Sequence, residues 1–352
     1  NNNNNNNNHH SKKSSFSTSS LIFRILAITT LLSPRKAFAS SSPSLSFAPK
    51  TCKAAEPNLA YIGNNNHKPK PLMRAWRCHG STHREMMEKL ASAGIVKAPI
   101  NIQALLSVDR RNYVMNEDDA YTDSPQPIGY GATISAPHMH AHVLEDLLPP
   151  LIRASKKYPT KPLSILDVGC GSGYLTAVFG RMVEPKTNRK TTSSPSSPSS
   201  SSFSTTLNEG KVYGIDVIPQ LVELSKTNIS KQDRDLLLDG SSTVHLLTRD
   251  GWKGYPEGAP YHAIHVGAAA ATFPRELMKQ LTVGGVMVVP VGPDGGTQYL
   301  YMVERVGDAG VVVGLNNGDG ELGSGRKGGF REEDYKVQKV LGVRYVPLVR
   351  SD

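Results

Sequence analysis

The chain of 352 residues carries 40 Lys and Arg against 30 Asp and Glu, 38% hydrophobic residues and three cysteines, which allows one large or two modest globular domains and excludes a fibrous or disulfide-built protein. Its longest apolar run, residues 21–32, is broken by Arg24 and falls well short of the roughly 20 residues that span a bilayer, so membrane insertion is excluded. The net charge of +10 sits mostly in residues 1–72, which hold nine basic residues and one acid; the nearly neutral remainder offers no broad nucleic-acid face.

Residues 1–72 open with an asparagine run and are Ser-rich and acid-poor, a composition that cannot bury a core. They are expected to form a disordered extension and to fit a chloroplast or mitochondrial transit peptide better than a secretory signal. The globular body is expected over residues 73–352, cytoplasmic unless the extension redirects it. Cys52, Cys78 and Cys170 are scattered and odd in number, which makes a reducing compartment the default.

Residues 82–94 predict a helix, with Thr82 as cap and Glu85 three residues on. A short helix follows Pro99, over 100–107. Residues 118–138, rich in Pro, Gly, Asp, Ser and Tyr without periodicity, predict a long functional loop. Pro137 then opens a helix through Leu147. From there strands alternate with helices: strands at 163–166, 212–216, 244–248, 261–266 and 286–291, helices at 174–183, 219–229 and 274–281. That rhythm predicts a parallel sheet with helices on both faces. Later strands are expected at 299–303 and 343–348, one of them antiparallel. Residues 186–209, which include nine serines between 193 and 204, predict a disordered insertion, and 314–329 an exposed hairpin or loop.

The strongest local signal is DVGCGSG, residues 167–173, between a predicted strand and a helix. Glycines at 169, 171 and 173 let the backbone turn tightly and approach a ligand. Asp216 ends the next strand in YGID; with the insertion discounted, it follows the glycines by the roughly 20 residues that place an acid on a ribose diol. GxGxG with Tyr174 next, in place of GxGxxG, favours a nucleoside without a pyrophosphate and argues against an NAD dehydrogenase. Asp250-Gly251 after the third strand suits a contact to an adenine amine, and equally an ordinary turn.

Together with DSPQPIGYGATISAPHMHA (residues 123–141), AIHVGAAA (263–270), PVGPDGG (290–296) and GVRYVPL (342–348), these motifs resemble the protein-L-isoaspartate (D-aspartate) O-methyltransferase family over about residues 73–348. The resemblance implies an α/β fold, a Rossmann-like doubly wound methyltransferase sheet that is mostly parallel with an antiparallel edge strand. It implies S-adenosyl-L-methionine as cofactor and methyl transfer to the free α-carboxylate of isoaspartyl residues in damaged proteins. Ser135 and Thr133 are the implied catalytic positions. Ala132, Thr133, Ile134, Ser135 and His140 are implied to border the cofactor, with Asp167, Gly169, Gly171 and Gly173 beneath its amino-acid part. Asp216 matches the ribose acid, and Asp250 and Gly251 the adenine contact. Val349 stands where the family often has a threonine.

The chemistry suits these residue types. A carboxyl acceptor with a pKa of about 3.5 is already an anion at neutral pH and needs no general base. The protein has to align oxygen, methyl carbon and sulfur and exclude water, a task for hydroxyls and backbone donors. Ser135 is thus expected to position and not to attack. Residues 345–348 are expected to offer backbone hydrogen bonds to a flexible peptide by strand addition. His138 and His142, four apart, lack a nearby third ligand, so no metal is expected. Cys170 reads as a packing residue. The alternatives are an amine or nucleic-acid methyltransferase, whose usual Asn/Asp-Pro-Pro-Tyr/Phe run is replaced here by His265-Val266-Gly267-Ala268, and a non-catalytic binder of cofactor or peptide. A monomer is expected.

Overall fold

A computed structural model describes residues 78–185, 207–238, 242–307 and 331–351. The predicted extension at 1–72 and the Gly-rich stretch at 314–329 lie outside these residues. Helix α1 (His83–Ser92) starts where Thr82 accepts a hydrogen bond from the Glu85 backbone N–H at 3.2 Å, and it buries Met86, Met87 and Leu90. Helix α2 (Pro99–Ser107) opens on Pro99, whose missing N–H has no partner to lose at a first turn. The stretch expected to be loop contains a small hairpin, β1 (Gln126–Gly129) and β2 (Ala132–Ile134). Strands of four and three residues are too short to show alternation in the sequence.

Helix α3 (Pro137–Lys157) runs ten residues beyond its predicted end, through Pro149 and Pro150. Proline inside a helix costs about 3 kcal/mol. Here Val143, Leu144, Leu147, Leu148 and Leu151 bury one continuous stripe, and each such side chain contributes about 1.5–3 kcal/mol. Packing therefore outweighs the breaker.

The main sheet has seven strands in the order β5-β4-β3-β6-β7-β8-β9. These are β3 (Leu163–Val168), β4 (Gly210–Asp216), β5 (Val244–Thr248), β6 (Tyr261–Val266), β7 (Leu281–Val291), β8 (Gln298–Arg305) and β9 (Tyr335–Val343). The first five are parallel, whereas β8 and β9 add antiparallel at one edge. Between them in sequence run α4 (Tyr174–Val183), α5 (Pro219–Gln232) and α6 (Arg275–Lys279). The two faces are unequally covered. Helices α3, α4 and α5 pack into the larger core with Ile165, Val212 and Ala263, while α6 and Phe273 cover Leu166, Ile264 and Met287 on the other face.

Two boundaries and the state of one cysteine differ from expectation. The predicted insertion ends before residue 207: Leu207 is 2% exposed, and Asn208 donates through its backbone N–H to Ser155 and through its amide to the Tyr158 and Lys161 carbonyls. The last strand is Tyr335–Val343 and not 343–348; residues 344–350 leave the sheet edge and cross over its carboxyl end. Cys78 is disulfide-bonded, against the reading of the cysteines as unpaired, whereas Cys170 is a free, buried thiol.

Candidate active site

Strand order reverses between β3 and β6, so the loops leaving these neighbours diverge and open a crevice at their carboxyl ends. The cleft there is lined by Gly169 and Gly171 after β3, by Asp216, Val217, Ile218 and Leu221 around the end of β4, by Gly251 after β5, and by Gly267 and Ala268 after β6. Across it stand the hairpin turn, with Tyr130, Gly131, Ala132 and Thr133, and the C-terminal residues 346–349.

The glycine loop is built to stay open. Gly169 has φ +75° and Gly173, the cap of α4, has φ +84°, values in the left-handed region that favours glycine. A Cβ on Gly173 would also meet the Cβ of Ser225 at 3.0 Å. Neighbouring elements pin the loop: Gly169 and Cys170 donate N–H bonds to the Ile215 carbonyl at 2.8 and 3.0 Å, and Ser225 Oγ donates to the Gly171 carbonyl.

Asp216 accepts from the Gly171 N–H and the Ile218 N–H, each at 3.1 Å. It is 7% exposed, and burial raises its pKa against the lowering effect of these backbone donors. No cation neutralises it among the described residues. Its oxygens keep acceptor capacity toward the cleft, which matches a neutral donor pair such as a ribose diol. The residues present thus fit the nucleoside half of S-adenosylmethionine, with Val217, Ile218 and Leu221 as an apolar wall.

Other predicted positions divide between the cleft and the layer behind it. Ala132 and Thr133 reach the wall. Ile134 is 4% exposed and faces the core, so its side chain does not border the cleft as expected. Ser135 is not part of the wall; its side chain lies beside the Tyr345 phenol, whose pKa burial pushes up to about 12. His140 is buried against Tyr174, ring centroids 5.1 Å apart, and burial lowers its pKa, so it is neutral. Asp167 is 1% exposed; its two oxygens bond His265 Nδ1 at 2.7 Å and Thr176 Oγ1 at 2.5 Å. It braces the loop from behind instead of meeting the cleft. Gly251 lines the cleft, while Asp250 turns away to accept from the Trp252 N–H and Ser351 Oγ.

The C-terminal segment is already hydrogen-bonded. Ala269 N–H donates to the Val346 carbonyl, Leu348 N–H donates to the Ala269 carbonyl, both at 2.8 Å, and Trp252 Nε1 donates to the Leu348 carbonyl. The Val346 carbonyl and the Leu348 N–H and carbonyl are therefore already engaged. Val349 is 48% exposed at the rim, so the missing threonine hydroxyl belongs to this wall. His138 pairs with Asp123 at 2.7 Å, and no cluster of three potential metal ligands occurs among the described residues.

Sequence reading missed Tyr130, Gly131, Val217, Ile218, Leu221, Gly267 and Ala268 as wall residues. Gly267 had a legible signal, a glycine directly after a strand: a Cβ there would lie 3.0 Å from the Gly169 carbonyl oxygen. Tyr130 had none, since an aromatic at φ +52° and 61% exposed is set by the hairpin turn.

A seven-stranded sheet with this order, a glycine loop and a ribose-type acid at the switch point define a Rossmann-like methyltransferase. Comparison with known proteins narrows the class. Residues 81–318 match the family model for protein-L-isoaspartate(D-aspartate) O-methyltransferase. A protein-L-isoaspartate O-methyltransferase of Triticum aestivum is 40% identical over 65% of this chain and 84% of its own length. One from Caenorhabditis elegans is 38% identical over 66% of this chain and 88% of its own. A crystal structure of a Plasmodium falciparum chain assigned to the same activity, in complex with S-adenosyl-L-homocysteine, superposes with TM-score 0.55 at 25% identity, covering 77% of this chain and 100% of that one. The chain belongs to the protein-L-isoaspartate (D-aspartate) O-methyltransferase family.

Proposed function

We propose that the protein transfers a methyl group from S-adenosyl-L-methionine to the free α-carboxylate of L-isoaspartyl, and D-aspartyl, residues in damaged proteins, and so starts their repair through a succinimide. One observation carries the choice of acceptor. The polar side chains of the cleft wall are the Tyr130 and Thr133 hydroxyls and Asp216. The one base among them, Asp216, is taken up by the ribose, which leaves none for an amine, and an acceptor already ionised at neutral pH needs none. The bound cofactor supplies an electrophilic methyl group.

The protein supplies binding and aim. Asp216 would hold the ribose hydroxyls, with Gly169 and Gly171 giving the backbone access to the amino-acid part. Gly251 and the apolar wall of Ile218 and Leu221 would flank the base. Thr133 would hydrogen-bond one oxygen of the acceptor carboxylate and leave the other to attack. Ser135, held through its carbonyl by Arg110, would fix the hairpin, a positioning role. His140 and Asp167 would act on the site through Tyr174 and His265. Pro347 exposes its carbonyl outward from the Ala269 pairing and would be the peptide's contact on that segment.

The enzyme is read as a monomer that binds no nucleic acid. Among the described residues no helix is long and apolar enough to cross a membrane. The body is assigned to the cytoplasm, or to the chloroplast or mitochondrion if residues 1–72 act as a transit peptide; imaging fusions with and without these residues decides between them. The activity is tested by mixing the protein with methyl-labelled cofactor and an isoaspartyl peptide. Label recovered as a base-labile ester supports the assignment, and label on an amine or nucleic acid refutes it.

A further inference from the structure

Arg110, in the turn Arg110–Tyr113 after α2, has no exposed surface. Its Nη2 donates to the Ser135 carbonyl at 2.9 Å, its Nη1 lies 3.5 Å from His140 Nδ1, and its guanidinium sits 5.5 Å over the Tyr174 ring. Nε has no hydrogen-bond partner. All of these partners are neutral, His140 because burial keeps it so.

Among the described residues no acid hydrogen-bonds Arg110; Asp123 acts on it only through space, raising its pKa against burial. Asp123 accepts from His138, ring and backbone, and from the Cys78 N–H. Asp109 accepts from the Tyr121 hydroxyl and the Arg111 N–H. Burial draws the guanidinium down to about 10, which still leaves it charged at neutral pH. A buried charge with no directly bonded counter-ion is unfavourable, and proteins pair such charges with few exceptions. This cation holds the carbonyl of Ser135, which follows Ala132 and Thr133 of the cleft wall by three and two residues.

We propose that Arg110 is the buried counter-charge for a carboxylate bound in the cleft, acting through the Ser135 carbonyl and His140 as a positioning residue. The inference rests on the proposed function, which brings two such groups to the site: the amino-acid carboxylate of the cofactor and the α-carboxylate of the acceptor. Arg110 lowers the energy of the loaded site at the expense of the empty one.

The test uses the full chain and Arg110→Gln, which keeps a donor for the Ser135 carbonyl but removes the charge. Three quantities are measured: affinity for S-adenosylhomocysteine, affinity for methylthioadenosine, which lacks the amino acid, and KM for an isoaspartyl peptide. The expected result is unchanged or higher thermal stability of the free variant together with a loss of about tenfold in one carboxylate readout, methylthioadenosine affinity staying within twofold. A fall in S-adenosylhomocysteine affinity assigns the charge to the cofactor carboxylate; a rise in peptide KM alone assigns it to the acceptor. Both carboxylate readouts within twofold of the unsubstituted protein would overturn the proposal, as would equal losses for both nucleosides with a lowered melting temperature, which mark a structural brace. Should the Gln variant not fold, Arg110→Lys retains the charge and is expected within threefold in every readout; a tenfold loss there would overturn it too. If the unsubstituted protein binds no S-adenosylhomocysteine, the proposed function fails and not the reading of Arg110.

Discussion

Asp216→Asn removes the charge at the ribose position and little volume. In the free protein the carboxylate is buried, has no cation, and accepts two backbone N–H bonds. Two charge-assisted bonds to a diol, taken at the low end of about 1.5 kcal/mol each, sum to about 3 kcal/mol, or roughly 150-fold in affinity. Asparagine has one oxygen, so it also leaves either Gly171 N–H or Ile218 N–H facing its amide, which adds to the loss. Calorimetric titration with S-adenosylhomocysteine is expected to show at least a hundredfold weaker binding. A pH series supplies a second signature. Burial raises the Asp216 pKa above the usual carboxylate value, so the ionised form needed for binding is lost as pH falls through that raised value. Affinity should therefore decline on acidification in the unsubstituted protein and not in the variant. Affinity within threefold of the unsubstituted protein would refute the ribose assignment.

Ser135→Ala is expected to cut turnover about tenfold while leaving S-adenosylhomocysteine affinity within twofold; steady-state kinetics beside calorimetry checks this, and a fully active variant removes Ser135 from the mechanism. Asp146 is pushed up to about 6 by burial and by Glu145, with one buried oxygen unpartnered. Its folded pKa exceeds its unfolded one, so ionisation destabilises the fold as pH rises through about 6. Asp146→Asn should stabilise by about 1–2 kcal/mol at pH 7, a figure reduced for the side chain's partial exposure, and by nothing below about pH 4; urea melts across pH should show the two curves converging on the acid side. Deleting residues 186–206 should leave activity intact. Extending the deletion to 209 removes buried Leu207 and the Asn208 bonds and should cost about 2–4 kcal/mol, read as a lowered melting temperature.

What could be read from sequence follows from how local each determinant is. The glycine loop, Asp216 and the five parallel strands are written in contiguous runs, with Pro219 marking a helix start and YGID a strand end, so their positions were legible. The cleft wall is not contiguous. Ile134 and Thr133 are neighbours, yet the strand pleat sends one to the core and the other to the cleft. Pro149 and Pro150 read as a helix end because the stripe that overrides them depends on the sheet beneath. Asp167 and Asp250 are acids at strand ends like Asp216, but His265 and Thr176, on other elements, engage Asp167, while the Trp252 N–H in the same turn and the distant Ser351 engage Asp250. That no carboxylate bonds Arg110 directly is likewise a fact of three dimensions.

The central claim is methyl transfer to a carboxylate that only a rearranged aspartyl linkage presents in this form. Paired peptides of identical sequence, one with a normal aspartyl bond and one with an isoaspartyl bond, incubated with methyl-labelled S-adenosylmethionine, test it most directly. Base-labile label is expected on the isoaspartyl peptide at a rate at least a hundredfold above the normal one. Equal labelling of both peptides, or none on either with the cofactor demonstrably bound, would contradict it.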